Sequence, residues 1–355
     1  MKGKTVFKVI LLVVLLLLLA VLSVVAYITA KLDLIQFADE VDNSAYQETL
    51  VLEQTDEEEE EGLAIDIEGL EQVETLPVIP EGEIWEEEDV LNILVLGTDE
   101  RTKELNVNAR SDAMILVSIN KKDNTVKLVS LERGMGVPIL DGQYEGNYDI
   151  LTHIFRYGGA DLVTRTVREV LKVDVDYYVR FNFYAVKQIV DMVGGIDMEL
   201  TAAEASRLNG SDISKNATTD DQKTLVEGMN HLDGGVTLAF ARLRSIDSDW
   251  RRIERQRKVI IAMVDALKDS TLTELNDLVT EALPMVQTNL TKLEIAELML
   301  YAPKFLSASF DQMTIPKQGT YGGATGLHGQ GMFAPDYELN SQILHDFLYG
   351  TEGED

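Results

Sequence analysis

"VLNILVLGTDE" (residues 90–100) and "ARSDAMILVSINKKDNTVKLVSL" (109–131) decide the fold. The first is a continuous apolar run ending in Gly97, the pattern of a strand buried on both faces. "AMILVSIN" (113–120) and "TVKLVSL" (125–131) read as two further strands, with "KKDN" between them as a hairpin turn. Beyond them, "GGADLVTRTVREVLKV" (158–173) spaces its apolar residues as a helix does. "DYYVRFNF" (176–183) reads as a strand and "YAVKQIVDMVGG" (184–195) as a helix closed by glycine. "LAFARLR" (238–244) is either a strand or a helix end. A helix follows from Trp250 to Lys268, with Ser248 or Asp249 as its N-cap. "ELNDLVTEALPMVQTNL" (274–290) and "KLEIAELMLYAPKF" (292–305) are expected as helices, and "DQMTIP" (311–316) as the last strand. This alternation predicts an α/β fold, a mixed central sheet flanked by helices on both faces. The paired glycines Gly158-Gly159 and Gly194-Gly195 read as turns or helix ends, not as phosphate loops.

Upstream, Val9 to Ala30 is an uncharged apolar stretch long enough to cross the ~30 Å hydrocarbon core of a bilayer. Lys2, Lys4 and Lys8 precede it and Asp33, Asp39 and Glu40 follow. The positive-inside tendency then gives a cytoplasmic tail (1–8), a transmembrane helix (9–30) and an extracytoplasmic remainder. A cleaved signal peptide is the rival reading, and "SVVAYITA" offers only a weak cleavage site. The chain has no cysteine, so disulfides and thiolate metal sites are excluded.

The net charge of −30 is concentrated. Residues 32–100 hold 24 Asp and Glu and no Lys or Arg. Their high charge and weak periodicity make 31–89 an expected acidic linker, self-repelling and extended, ahead of a single domain at 90–350.

Two features point to chemistry. Asp99 lies just past one strand and Asp112 just before the next. If those strands pair antiparallel, both carboxylates reach one rim of the sheet, where open α/β sheets bind ligands. Such a pair suits a hard divalent cation, most naturally Mg2+, although each aspartate alone also fits a loop cap. Arg110 adds an anion-binding group beside them. Secondly, "RLRSIDSDWRRIERQR" (242–257) carries six arginines in an acidic chain. Arg242 and Arg244 share a face if extended. Arg252 and Gln256 share a helix face near its positive end, with Arg255 nearby and Arg251 and Arg257 pointing elsewhere. Guanidinium forks there form a phosphate clamp. A salt-bridged surface with Glu254 and Asp247 is the plainer alternative. Nucleic acid is a poor candidate, since the domain is acidic and no aromatics interleave with the arginines. His153 reads as a packed helix residue more than a general base.

"NILVLGTDER…ARSDAMILVSINKKDNTVKLVSLER", "HIFRYGGADL", "DYYVRFNFYAVKQIVDMVGGIDMEL", "LDGGVTLAFARLR" and "DWRRIERQRKVI" occur in this order. Together with "TIPKQGTY…GMFAPDYELNSQILHDFLYG" they resemble the LytR-CpsA-Psr family of bacterial cell-envelope enzymes. The resemblance implies transfer of an anionic or other glycopolymer from a polyprenyl-pyrophosphate carrier to a peptidoglycan hydroxyl, at the membrane and with Mg2+. It assigns Asp99 and Asp112 to the metal. Arg110, Arg133, Arg242, Arg244, Arg252 and Gln256 fall to the pyrophosphate, and Asp99, Asp112, Arg244 and Asp249 to catalysis. Such chemistry needs phosphate charge neutralised by metal and arginine. The chain departs from the family twice. Glu132-Arg133-Gly134 stands where Pro-Arg-Asp is usual, and Ile150 stands where a lysine is. These departures leave open an impaired, binding-only scaffold or regulator; a lipid-pyrophosphate hydrolase is the other alternative.

Overall fold

The computed structural model describes residues 27, 29–37, 65–100, 105, 109–175, 177–210, 224–243, 246, 248–268, 271, 277–278, 280–305 and 308–350. Arg244, Asp247 and nearly all of the 9–30 stretch lie outside the described residues. Among the described residues no helix is long and apolar enough to cross a membrane.

In chain order the strands are β1 (Gln36–Phe37), β2 (Val90–Thr98), β3 (Ser111–Asn120), β4 (Thr125–Leu131), β5 (Gly136–Pro138), β6 (Tyr148–Ile150), β7 (Tyr177–Asn182), β8 (Ile196–Leu200), β9 (Gly228–Leu232), β10 (Val286–Thr288), β11 (Ser309–Ile315), β12 (Tyr321–Thr325) and β13 (Gly331–Pro335). The helices are α1 (Leu151–Leu171), α2 (Phe183–Met192), α3 (Ala202–Asn209), α4 (Gly234–Ala241), α5 (Asp249–Lys268), α6 (Lys292–Phe305) and α7 (Tyr337–Tyr349). Seven strands form one mixed sheet in the order β1-β10-β7-β2-β3-β4-β11. β2, β3 and β4 pair antiparallel, as the hairpin reading required, while β7 and β11 run parallel to β2 and β4.

The central strands alternate between two cores. Leu94, Leu96, Met114, Leu116, Val129 and Leu131 face α1 and α7, and are almost wholly buried. On the opposite face Ile115, Ile119, Val126 and Leu128 pack with Ile260 and Ile261 of α5. Helices therefore cover both faces, which is why β2 to β4 read as nearly continuous apolar runs.

Two expectations need correction, and one left open is resolved. The 274–290 segment is not helical throughout: a 3-10 turn at Leu283–Met285, with proline in its first turn, hands over to β10, which pairs with β7. β11 is not the last strand, since β12 and β13 form a hairpin after it. "LAFARLR" ends a helix, α4, with Asp233 as N-cap accepting from the Val236 N–H.

The acidic segment is also more than a tether. Leu32 and Ile35 are buried and β1 adds to the sheet edge through β10. From Ile65 onward the chain lies on the domain. Val73 N–H donates to Gly323 O at 3.0 Å, Gly323 N–H to Glu71 O at 2.8 Å, and Trp85 N–H to Lys172 O at 2.9 Å. Ile65, Ile67, Leu70 and Val73 join the cluster around Met332 and Phe333. The acidic residues between them stay largely exposed, so the charge that marked a linker masked a run of apolar anchors.

Candidate active site

The topology sends five chain positions to one rim. β2 and β7 end there, β3 begins there, and β4 and β11 end there, because β3 is antiparallel to β2 and β4. At this rim stand Asp99, Arg110, Asp112, Glu132 and Arg133, and α5 brings Asp249 and Arg252 against them.

The β2–β3 register shifts at the rim. Gly97 pairs with Ala113 but Thr98 pairs with Ser111, so Asp112 is the extra residue of a bulge. A bulge re-aims the side chain it carries. Asp99 is gripped by Arg110: the Arg110 backbone N–H donates to Oδ1 at 2.9 Å and its Nε–H to Oδ2 at 3.1 Å. Burial first, and then the charge of Asp112, push the Asp99 carboxyl above its ordinary range. The two carboxylates therefore stand at the same rim, near enough for the charge of Asp112 to act on Asp99.

Arg133 joins the pieces. Its Nε–H donates to Asp249 Oδ2 at 3.1 Å, and its Nη1 lies 4.0 Å from Asp112 Oδ1. Its backbone is fixed by the start of α1, where Thr152 N–H donates to Arg133 O at 3.1 Å and Leu151 N–H to Met135 O at 2.8 Å. Arg252 donates through Nη2 to the same Asp249 Oδ2 at 3.0 Å and approaches Asp112 O at 3.5 Å. Asp249 opens α5, so its charge also faces the positive end of a helix dipole. Two guanidinium groups thus converge on one carboxylate, one from the sheet and one from the helix.

The arginine-rich stretch divides. Arg251 pairs with Glu254 in solvent. Arg255, expected near the site, is instead buried, donating to Glu204 at 3.2 Å and to Leu243 O at 2.7 Å. Arg257 reaches β11, at Thr314 Oγ1 (2.9 Å) and Gln312 Oε1 (3.1 Å). Arg242 lies 4.7 Å over the ring of Phe183, the residue after Asn182, which pairs with Thr98 at the rim. Gln256 follows Arg252 by one turn and is half-buried.

Two participants escaped the sequence reading. Arg180, almost fully buried in β7, bonds Gln287 at 2.9 Å, Thr98 at 3.3 Å and Glu100, and so braces the residues beside Asp99. The lone arginine inside "YYVRFN" was the available signal. Glu132, wholly buried behind Arg133, has its carboxyl pushed up to about 8 by burial and then by the charge of Asp249. His153 is not simply packed: its Nδ1 sits 3.1 Å from Asp149, which also takes hydrogen bonds from Tyr157 and Gln330.

The donor set at the rim fits Mg2+ in part. Asp99 and Asp112 are hard carboxylates whose mutual repulsion a divalent cation would relieve. Among the described residues no group of three or more such side chains gathers, so the remaining ligands would be phosphate oxygens and water.

The LytR_cpsA_psr family profile matches residues 42–343. The chain belongs to this family. It is 33% identical over 229 residues to the polyisoprenyl-teichoic acid–peptidoglycan teichoic acid transferase TagT of Bacillus subtilis strain 168, covering 64% of this chain and 68% of that protein. A structure of TagT bound to LI-WTA superposes with a TM-score of 0.57 at 29% identity, covering 74% and 90% of the two chains. A structure of the LytR-CPS2A-psr family protein YwtF (TagT) with bound octaprenyl pyrophosphate lipid gives 0.54 at 26% identity, covering 77% and 96%.

Proposed function

We propose that this LytR-CpsA-Psr protein is a membrane-anchored phosphotransferase that moves a glycopolymer from a polyprenyl-pyrophosphate carrier to a peptidoglycan hydroxyl. The observation that carries this reading is the convergence of Arg133 and Arg252 on Asp249 beside the Asp99–Asp112 pair. Transfer of a diphosphate-linked group needs this combination of fixed cations and metal-binding carboxylates, with little covalent chemistry from the protein. The names of the matched transferases and the lipid pyrophosphate bound by one structural relative support the same class of substrate.

In this reading Arg110, Arg133, Arg242, Arg244, Arg252 and Gln256 bind the diphosphate. Mg2+, held by Asp99 and Asp112, would supply charge neutralisation at the phosphoryl oxygens. An acceptor hydroxyl oxygen bonds to the glycan-bearing phosphorus as the P–O–P bridge breaks. Polyprenyl phosphate leaves, and the hydroxyl proton goes to solvent or a base. Asp249 keeps both guanidinium groups aimed at the site. Residues 9–30 anchor the protein with 1–8 in the cytoplasm and the domain outside.

The test is the full chain in detergent with a lipid-pyrophosphate glycan, Mg2+ and a sugar acceptor. Product joined to the acceptor through phosphate is expected. Phosphate-terminated glycan would mean hydrolysis, and tight binding without turnover a scaffold; either would overturn transfer.

A further inference from the structure

Glu132 is a carboxylic acid in a place where a carboxylate would be expensive. The residue is wholly buried. Its Oε1 accepts the Gly134 N–H at 3.3 Å, while Oε2, equally buried, receives no hydrogen bond. Its backbone cannot drift, because Glu132 N–H donates to Ile315 O at 2.8 Å as an extension of the β4–β11 ladder. The groups around it are defined. Asp249 and Arg252 face it from α5, Arg133 follows it directly in the chain just past β4, and Tyr321 reaches toward it from β12. Asp112 of β3 acts on the same Arg252.

Arg133 and Arg252 both donate to Asp249 Oδ2. A buried oxygen without a donor, facing a carboxylate, is satisfied by carrying a proton and donating it. Two carboxyl groups at close quarters share one proton for the same reason that carboxylate dyads do.

We propose that Glu132 is a positioning residue: as a neutral acid it donates a hydrogen bond to Asp249 and holds that carboxylate between Arg133 and Arg252. The role rests on the diphosphate reading above and adds to it. Neutral Glu132 orients Asp249 without adding negative charge to an anion site. Ionised, it would compete with the diphosphate for the same two guanidinium groups. The upward push of its carboxyl to about 8 puts that change just above neutrality. The resemblance puts proline at 132 and aspartate at 134; here the carboxyl comes from 132 and bends back over Gly134.

The experiment uses the full chain in detergent, as the native protein and as Glu132→Gln, Glu132→Ala and Asp249→Asn. Gln keeps a donor toward Asp249 but cannot ionise. Infrared difference spectra are expected to show a protonated carboxyl in the native protein near neutrality. That signal should titrate with a midpoint near 8, shift in Asp249→Asn and vanish in Glu132→Gln. With inorganic pyrophosphate and Mg2+ as probe, the ratio of Glu132→Gln affinity to native affinity cancels the titration of the probe. That ratio should rise about ten-fold between roughly pH 7 and 9, as one unit of added ionisation predicts. Glu132→Ala should bind more weakly than Glu132→Gln throughout. A flat ratio, or no protonated carboxyl near neutrality, would overturn the proposal. If no protein binds pyrophosphate, the diphosphate reading fails, and the infrared titration alone then upholds or rejects the proton on Glu132.

Discussion

Ile65 fills the space above Gly134. A Cβ on residue 134 would stand 2.6 Å from Ile65 Cδ1 and 2.9 Å from Cγ1. Ile150 is buried in the same cluster, with Met332 and Phe333. The two positions where the resemblance puts aspartate and lysine are thus occupied as one feature: a carboxylate and a cation are absent together, and an apolar side chain from the N-terminal segment covers the gap. Gly134→Asp should therefore expel Ile65 and cost about 1–3 kcal/mol, the usual range for overpacking. Ile65→Ala with Gly134→Asp should recover part of that loss. Urea unfolding of the four proteins in the cycle measures the coupling, and strictly additive effects would show that the contact is not made.

Asp112 sits on its bulge between opposing influences: its charge acts against that of Asp99, while Arg133 Nη1 lies 4.0 Å from its Oδ1. Asp112→Asn relieves Asp99 and removes a partner of Arg133 together, so the melting temperature of metal-free protein should move by less than about 4 °C, the shift that roughly 1 kcal/mol produces at this domain size. In the proposed mechanism Mg2+ would stabilise the native protein by binding the folded state, and the same substitution should abolish that stabilisation together with turnover. Thermal melts with and without Mg2+ test both halves. An unchanged Mg2+ response in Asp112→Asn would remove this residue from the metal site.

The arginines of the 242–257 stretch divide their labour, and substitution should separate them. Arg255 is paired with Glu204 in the interior, so Arg255→Ala leaves that buried carboxylate without its cation, held among the described residues only by Thr201, and should cost about 3–5 kcal/mol. Turnover per folded molecule should survive. Arg252→Lys keeps the charge but loses the fork that meets Asp249 and, in the proposed mechanism, phosphate, and should lower turnover about 100-fold with little loss of fold. Equal effects of the two on turnover would contradict the division.

Sequence carried the sheet and the rim because both rest on local patterns. The apolar runs of β2 to β4, the hairpin between the last two, and the aspartates at their ends all lie within one short stretch. Asp99, Asp112, Arg133, Asp249 and Arg252 came out together at the rim. What stayed hidden depended on distant contacts. Arg255 and Arg252 are three apart on one helix, and only the position of α3, which presents Glu204, sends one inward and the other to the site. Glu132 was legible as a departure from a motif, but its proton depends on Asp249, more than a hundred residues away. The anchors Ile65, Ile67, Leu70 and Val73 were drowned by neighbouring acids, although their surface is supplied by the β12–β13 hairpin near the other end of the chain. β10 is three residues long and needs β7 to exist as a strand.

The pH dependence of folding should reveal the buried acids. Glu132 has an ordinary value of 4.5 and is pushed up to about 8 in the folded protein. The native state therefore keeps a proton that the unfolded chain releases. Its contribution is complete below 4.5 and is lost as pH rises toward about 8. Asp99 is raised too, by burial and then by Asp112, and acts in the same direction. Asp149 works oppositely: burial resists ionisation, but His153 and the hydroxyl of Tyr157 outweigh it and hold the carboxyl below its ordinary range. Stability from Asp149 is present above its ordinary value and falls as the medium is acidified through the lowered one. Urea unfolding of native protein should thus weaken steadily from about pH 5 to about 8. In Glu132→Gln that slope should be reduced, because glutamine releases no proton on unfolding. Parallel slopes in the two proteins would mean that Glu132 is already ionised in the fold, and that burial is offset there by Arg133 and Arg252 instead of by a proton.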